Sequence, residues 1–210
     1  MTGVRGFFEG SVPKKLVSNM KGDDAMIMIR GLHTVCVAAA LAAAAFRPAP
    51  AAEPQVEFPQ IAKYGGVFRL PAAEERPRAG GKVVFDTTAA APAGKPNRGL
   101  ESAARLVNIY ASEQLGQARP RIAVILHFNA TAAALGDAAH AKVAGGGPNP
   151  NRELVEQLLV NGGEVWVCGQ SVLRGGSTLE DVLPGIRIAH SAMIFNMNRQ
   201  ADGWATLGVH

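Results

Sequence analysis

The chain has 210 residues, of which 48% are hydrophobic and 18% charged, a composition typical of a globular protein rather than a disordered one. Its two cysteines cannot make a disulfide framework or a four-ligand zinc site. Six of the 21 basic and three of the 17 acidic residues precede Ala52, which leaves 15 basic and 14 acidic residues and no Lys/Arg stripe for nucleic acid.

Residues 26–51 have the order of a secretory signal peptide. Arg30 supplies a positive charge before the 12-residue apolar run Val35 to Phe46, and Ala49-Pro50-Ala51 offers small residues for cleavage. The run is shorter than the about 20 residues of a membrane span, although an uncleaved anchor is the alternative. A lipoprotein would need a cysteine just after the run. We therefore expect a periplasmic or secreted protein with no stable membrane span after cleavage.

Residues 1–25 are polar, lack periodicity and are unusual before a signal peptide. Met26 or Met28 would give a normal start, so we interpret residues 1–25 as a non-native or disordered extension. Cys36 lies in the apolar run and leaves with the signal. Export would therefore leave Cys168 as the one thiol of the mature protein, in an oxidising compartment.

Residues 52–81 contain several prolines and little pattern, which predicts an extended arm whose residues 64–70 dock on the domain that follows. Residues 82–210 form that domain. Its predicted strands are apolar, β-branched runs, and its predicted helices have caps or apolar residues at helical spacing. The predicted strands are 82–87, 121–127, 164–168, 186–189 and 204–209. The predicted helices are 98–114, 130–135, one that is capped by Asn149 or Asn151 and reaches residue 160, 191–200, and a short one opened by the capping box 177–180.

Strands that alternate with helices predict crossover connections, and so a mainly parallel sheet with helices on both faces. The carboxyl ends of parallel strands share one edge, where ligands and catalytic groups gather. Polar or reactive residues follow four of the strands. They are Asp86, then His127 and Asn129, then Cys168, Gly169 and Gln170, and finally His190 and Ser191.

Cys168 is the candidate reactive group at this edge. Gly169 would let the backbone turn and open an approach to the sulfur, and residues 169–176 would form a loop whose N–H groups and Arg174 stabilise an anion. Each candidate also has a structural interpretation. Cys168 would be a small buried apolar residue, and His127 would be a hydrogen-bonded histidine beneath the helices. Asp86 would cap or hold in place the Ala-rich loop that follows it. A hydrolase is disfavoured because no G-x-S-x-G elbow is present.

The domain resembles the DsrE/DsrF-like family of sulfur-relay proteins over about residues 82–209. The likeness is sharpest in VWVCGQS (Val165 to Ser171). The remaining segments that carry it are KVVFD at 82–86, LVNIY at 106–110, residues 122–127, 151–159 with Gly163, 183–186 and 200–207. This chain departs from the family in its export signal and in Phe128, where we expect a glycine after the histidine.

The resemblance implies a three-layer α/β/α fold with a five-stranded sheet, and assembly as a homo-oligomer, often a trimer or hexamer. It also implies that Cys168 accepts sulfane sulfur as a persulfide and passes it to an acceptor protein, with no metal or organic cofactor. His127 would tune the thiol, and Asn129 or Gln170 would orient the incoming sulfur. The alternative is a non-catalytic oligomeric binding module in which Cys168 is structural.

Overall fold

The computed structural model describes residues 53–210, so the predicted extension, signal peptide and Cys36 lie outside the described residues. Strands and helices alternate along the described chain. The strands are β1 (Lys82–Thr87), β2 (Arg121–Leu126), β3 (Glu164–Cys168), β4 (Arg187–Ala189) and β5 (Ala205–Val209), and the helices are α1 (Arg98–Ser112), α2 (Asp137–Ala144), α3 (Arg152–Val160), α4 (Gly169–Arg174) and α5 (Ala192–Ala201). Short 3-10 helices cover Gly116–Ala118, Phe128–Ala134 and Leu179–Asp181.

The five strands form one sheet in the order β4-β3-β2-β1-β5, and each of the four pairs of neighbouring strands is parallel. Side chains alternate between its faces with a period of two. One face packs against α1, α3 and α4, in a cluster that includes Phe85, Leu126 and Val172. The other face packs against α5, in a cluster that includes Val84, Ile125 and Phe195. The predicted three-layer α/β/α fold with a parallel five-stranded sheet is confirmed.

The β1–α1 unit shows how the local sequence sets these elements. The run of β1 is buried on both faces, as expected for a central parallel strand. Helix α1 begins after Asn97, whose side-chain oxygen accepts from the Gly99 N–H at 2.9 Å, a standard N-cap. Its apolar residues fall at helical spacing and face the sheet, so the predicted amphipathic helix is present.

Three local expectations differ from the structure. Residues 169–174 are helical rather than a loop, because the apolar Val172 packs into the core and fixes the turn. The stretch predicted as helix 130–135 is a 3-10 helix, followed by the unpredicted α2. The capping box pairs Thr178 with Asp181, one residue later than expected, and opens a single 3-10 turn.

The arm packs on the domain, and residues 54–210 form one compact unit. Ile61 is fully buried in the core against α1. The Asn108 side chain in α1 accepts from the N–H groups of Gln60 and Ile61 and donates to carbonyls of the arm, including that of Tyr64 at 3.0 Å. Across residues 53–210, none of the helices has the length and apolarity of a membrane span.

Candidate functional site

The carboxyl ends of β1, β2 and β3 place Asp86, His127 and Cys168 on one face of the sheet. Val84, Ile125 and Cys168 belong to one apolar cluster on one face of the sheet. Asp86 and His127 each follow one of these apolar residues by two positions, and residues two apart on a strand point to the same face. The β2–β3 register pairs Leu126 with Val167, so its next step sets His127 beside Cys168. Neighbouring strands are about 4.8 Å apart, a distance at which such side chains meet. Of the predicted site residues, Asp86 and His127 are in direct contact, and Cys168 lies on the same face at the end of the neighbouring strand.

His127 and Asp86 form a hydrogen-bonded pair. The Nε2 atom of His127 lies 2.7 Å from Oδ1 of Asp86, and the two side chains are 12% and 21% exposed. The hydrogen bond from His127 holds the pKa of Asp86 below its ordinary value against the opposing effect of burial, with smaller contributions from Asn196 and His210. The carboxylate therefore stays ionised and orients the imidazole.

Cys168 lies at the point where the chain changes sides of the sheet. It pairs with Ala189 of β4, and β3 continues into α4 on one face whereas β4 continues into α5 on the other. Diverging connections of this kind open a crevice at the carboxyl ends of neighbouring strands, the usual ligand position in open α/β sheets. The thiol itself is only 5% exposed and packs with Ala192 and other apolar residues.

The residues after Cys168 lie in a short helix, α4. Gly169 is buried, and a β-carbon there would lie 3.2 Å from the Ala189 carbonyl oxygen, so its lack of a side chain permits close packing of β4 rather than an open approach to the sulfur. Gln170 is exposed on the first turn of α4. Arg174 is exposed in the last turn of α4, about 9 Å along the helix axis from Cys168.

Asn129 lies apart from the thiol. It is exposed and lines a cavity whose walls do not include Asp86, His127 or Cys168. The preceding residue, Phe128, has a φ of 50° and is 68% exposed. This left-handed conformation is the one that favours glycine, which gives a physical reason for the glycine expected at this position.

Two residues of the site escaped the sequence analysis. Asn196 contributes to the electrostatics of Asp86, and its Oδ1 atom is buried without a hydrogen-bond partner among the described residues. It follows the buried Phe195 on α5, so a polar residue on the buried side of an amphipathic helix was the available signal. His210, at the end of the sequence, had no pattern to mark it, and its Nδ1 lies 3.0 Å from the Thr88 hydroxyl.

The arrangement allows thiol chemistry assisted by an oriented imidazole. Within residues 53–210, no group of three or more His, Cys, Asp or Glu side chains is placed to hold a metal ion. The His127–Asp86 pair uses Nε2 and leaves Nδ1 for a second partner. A neutral imidazole held in this way accepts a proton from a neighbouring thiol or returns one to a leaving thiolate.

Fold and site together define a parallel α/β/α protein with a cysteine at the switch point of its sheet. Residues 82–208, more than half of the chain, match the DsrE/DsrF-like family, and the chain belongs to that family. The predicted resemblance is therefore confirmed at the level of the family.

Two solved structures are similar to this chain at low identity. The protein of unknown function MTH1491 from Methanobacterium thermoautotrophicum is 18% identical, with a TM-score of 0.45, and the match covers 61% of this chain and 99% of that one. The ychN protein from E. coli is 19% identical, with a TM-score of 0.42 and the same coverages of 61% and 99%. No curated protein matches the chain.

Proposed function

We propose that this protein is a sulfur carrier that holds sulfane sulfur as a persulfide on Cys168. The observation that carries the proposal is the placement of Cys168 at the switch point of the sheet, with the Asp86-oriented His127 on the neighbouring strand. Membership of the DsrE/DsrF-like family, which suggests a fold of the sulfur-relay type, agrees with it.

The transfer step needs no external oxidant or reductant. The Cys168 thiolate attacks the outer sulfur of a donor persulfide, a new S–S bond forms on Cys168, and the donor's S–S bond breaks. The donor leaves as a thiolate, and the proton taken from the Cys168 thiol by His127 returns to that leaving sulfur. Passing the sulfur to an acceptor thiol repeats the exchange in the opposite direction, so donor and acceptor proteins are the expected partners.

Burial of the thiol sets a condition on this chemistry. At 5% exposure Cys168 must be uncovered before a donor reaches it. The neighbouring β4 is a three-residue edge strand and Ile188 on it is 41% exposed, so it is the least supported element next to the thiol. Local opening of such an element costs less free energy than global unfolding. We propose that docking of a donor displaces β4 and exposes the sulfur.

Intact-mass spectrometry of the full chain tests the proposal. Incubation with a polysulfide or a persulfide donor should add the mass of one sulfur atom, and reductant should remove it. The matched pair of variants is Cys168→Ser, which should lose the adduct, and Cys36→Ser, which should keep it. Wild-type protein that takes up no sulfur under these conditions, or an adduct that survives in Cys168→Ser, would contradict the proposal.

The burial of Cys168 in an apolar cluster also favours a second candidate function, a non-catalytic oligomeric binding module. Native-state labelling with a thiol reagent separates the two. A carrier should label much faster than its global unfolding rate, because only local opening is needed. Labelling that keeps pace with global unfolding would support the structural role.

We also propose that the protein assembles with further copies of itself, as a trimer or hexamer, in the periplasm or outside the cell. The support for assembly is an apolar stripe on α5, where Met193 and Met197, four residues apart, are 73% and 59% exposed. Exposed apolar surface of this kind is typical of protein interfaces. Sedimentation equilibrium gives the subunit number. The mass of the protein isolated from its native host gives the cleavage point of the signal.

A further inference from the structure

A cavity of about 700 Å³ lies on the carboxyl side of the sheet, separate from the thiol site. Its walls come from segments that follow β1, β2 and β3, namely the β1–α1 loop, the 3-10 helix Phe128–Ala134 and α4, together with the glycine loop after α2. The volume is in the range of small-molecule sites, about 300–1,000 Å³.

The walls of this cavity are held in place by a chain of buried asparagines. The side-chain oxygen of Asn151 accepts from the Asn97 N–H at 2.6 Å, and the Asn151 amide donates to Asn149 at 2.8 Å. Asn149 in turn donates to the carbonyls of Ala133 and Leu135. All three asparagines are at most 5% exposed. A satisfied buried network of this kind fixes the loops relative to one another before any ligand arrives.

One residue of the cavity wall, Thr131, carries a buried polar atom that has no partner among the described residues. Thr131 lines the cavity and is 7% exposed, and its Oγ1 atom is buried without a hydrogen bond to any residue of the described chain. A buried hydroxyl without a partner costs free energy. Rotation of the Thr131 side chain about χ1 would turn this hydroxyl toward the cavity, where a polar ligand atom would satisfy it and remove that cost.

The charge of the wall selects the kind of ligand. Among the residues that line the cavity in the described chain, Lys95 is the single Lys, Arg, Asp or Glu. No carboxylate is there to repel an anion or to hold a cation. Much of the remaining wall is alanine, including Ala91, Ala130 and Ala133, and suits an apolar body.

We propose that this cavity binds a small organic anion with an apolar body. The ammonium group of Lys95 attracts its charged group, the Thr131 hydroxyl donates to one of its polar atoms, and the alanine-rich wall contacts the rest. This site is independent of sulfur transfer at Cys168.

Two fluorescent probes with the same ring system test the proposal on the full chain. The anionic one is 8-anilinonaphthalene-1-sulfonate, and the neutral one is N-phenyl-1-naphthylamine, which lacks the sulfonate. The sulfonate should bind saturably, once per chain, and more tightly than the neutral probe. Lys95→Gln should weaken sulfonate binding about 2- to 5-fold, the effect of one exposed ion pair, and leave the neutral probe unaffected.

Thr131→Val is the second variant and has two readouts. It should weaken sulfonate binding about 3- to 10-fold, the effect of one hydrogen bond, while raising the melting temperature of the unliganded protein, because a buried hydroxyl without a partner is removed. Lys82→Gln, at the other end of β1, is the charge-matched control for Lys95→Gln and should leave the binding of both probes unchanged. If neither cavity variant changes the affinity for the sulfonate, the proposal is overturned. Binding to the exposed methionines of α5 would give that result. Equal affinity for the two probes overturns it as well.

Discussion

The Nε2 atom of His127 lies 2.7 Å from Oδ1 of Asp86, so a carboxylate at the end of one strand orients an imidazole at the end of the next. The pair lies on the same face of the sheet as Cys168 and depends on Asp86 being ionised. Its geometry resembles the base–orienter half of a catalytic triad, in which the third group holds the ring in a productive tautomer.

Asp86→Asn should destabilise the protein by about 1 kcal/mol at neutral pH, because the amide oxygen still accepts from His127 but no longer carries the charge that strengthens the hydrogen bond. The pKa of Asp86 is depressed in the folded state. Its contribution to stability is therefore present above the unfolded pKa, about 3.9, and is lost as pH falls through the lower folded value. Urea unfolding at a series of pH values should show a weaker acid dependence for Asp86→Asn than for wild type. Asp202→Asn, on an exposed turn, should behave as wild type does.

Cys168 variants report on the polarity around the thiol. Serine at this position places a hydroxyl in an apolar cluster and should cost about 1–3 kcal/mol, whereas alanine removes only the sulfur and should cost about 1 kcal/mol. The expected order of unfolding free energies is therefore wild type, then Cys168→Ala, then Cys168→Ser. Guanidinium unfolding measures it. A serine variant at least as stable as the alanine variant would mean that water reaches the site in the native state.

Asn108 joins the arm to the domain, and its loss should release the arm. The side chain is fully buried and binds two N–H groups and three carbonyls of residues 60–65. Asn108→Ala leaves these groups without partners and should cost about 3 kcal/mol or more. Hydrogen exchange should rise in residues 60–65 before it rises in β2. Asn198→Ala, on the exposed side of α5, is the matched control, and unchanged exchange in Asn108→Ala would show that the packing of Ile61 alone holds the arm.

Much of the fold could be predicted because its central strands are strong local signals. The run Arg121–Leu126 is apolar on both faces and long enough to mark a buried strand, and EVWVC marks the next. The candidate residues Asp86, His127 and Cys168 followed from strand ends alone, since parallel strands share an edge. To predict that these three residues share one face, it is necessary to know which residues of each strand point to that face. The sequence does not show this, because the central strands are apolar on both faces.

The parts that could not be predicted depend on contacts between distant residues. Helix α2 is rich in alanine and has no clear apolar face, so it is stabilised by its surroundings and not by a periodic pattern. Helix α4 begins at a glycine and is followed by another, and these glycines favoured a loop in the sequence analysis. Only the position of Val172 in the core explains why the segment is helical. Asn108 lies among apolar residues of α1, and only the arm, more than 40 residues earlier, explains its polarity.

Phe128 has a left-handed backbone conformation that favours glycine, and the stabilities of glycine and alanine variants should reflect this. With a φ of 50°, a residue that has a β-carbon costs about 1–2 kcal/mol, and glycine avoids that cost at the expense of about 0.4–1 kcal/mol of extra unfolded-state entropy. The Phe128 and His127 rings are 5.0 Å apart, a contact that both glycine and alanine remove. Phe128→Gly should therefore be more stable than Phe128→Ala by up to about 1 kcal/mol in thermal or urea unfolding. A more stable alanine variant would contradict the left-handed conformation at this position.

Glu164 is the acidic centre of a basic cluster at the amino end of β3, and it should make the protein sensitive to acid. Its carboxylate lies 2.7 Å from Arg199, 3.0 Å from Arg121 and 3.6 Å from Arg187, and accepts from the Trp166 indole N–H at 3.1 Å. Burial raises its pKa, but the Trp166 hydrogen bond and the arginine charges together outweigh burial and hold the pKa below the ordinary value.

Because the folded pKa of Glu164 is depressed, its contribution to stability is complete above the unfolded value of about 4.3 and is lost as pH falls through the folded value. Glu164→Gln should cost about 2 kcal/mol at neutral pH, since it leaves three arginines around a neutral amide. The difference between wild type and variant in urea unfolding should shrink as the pH is lowered below about 4. Glu180→Gln, which is exposed, should cost nothing at either pH. A difference that stays constant with pH would mean that Glu164 acts through its shape and not its charge.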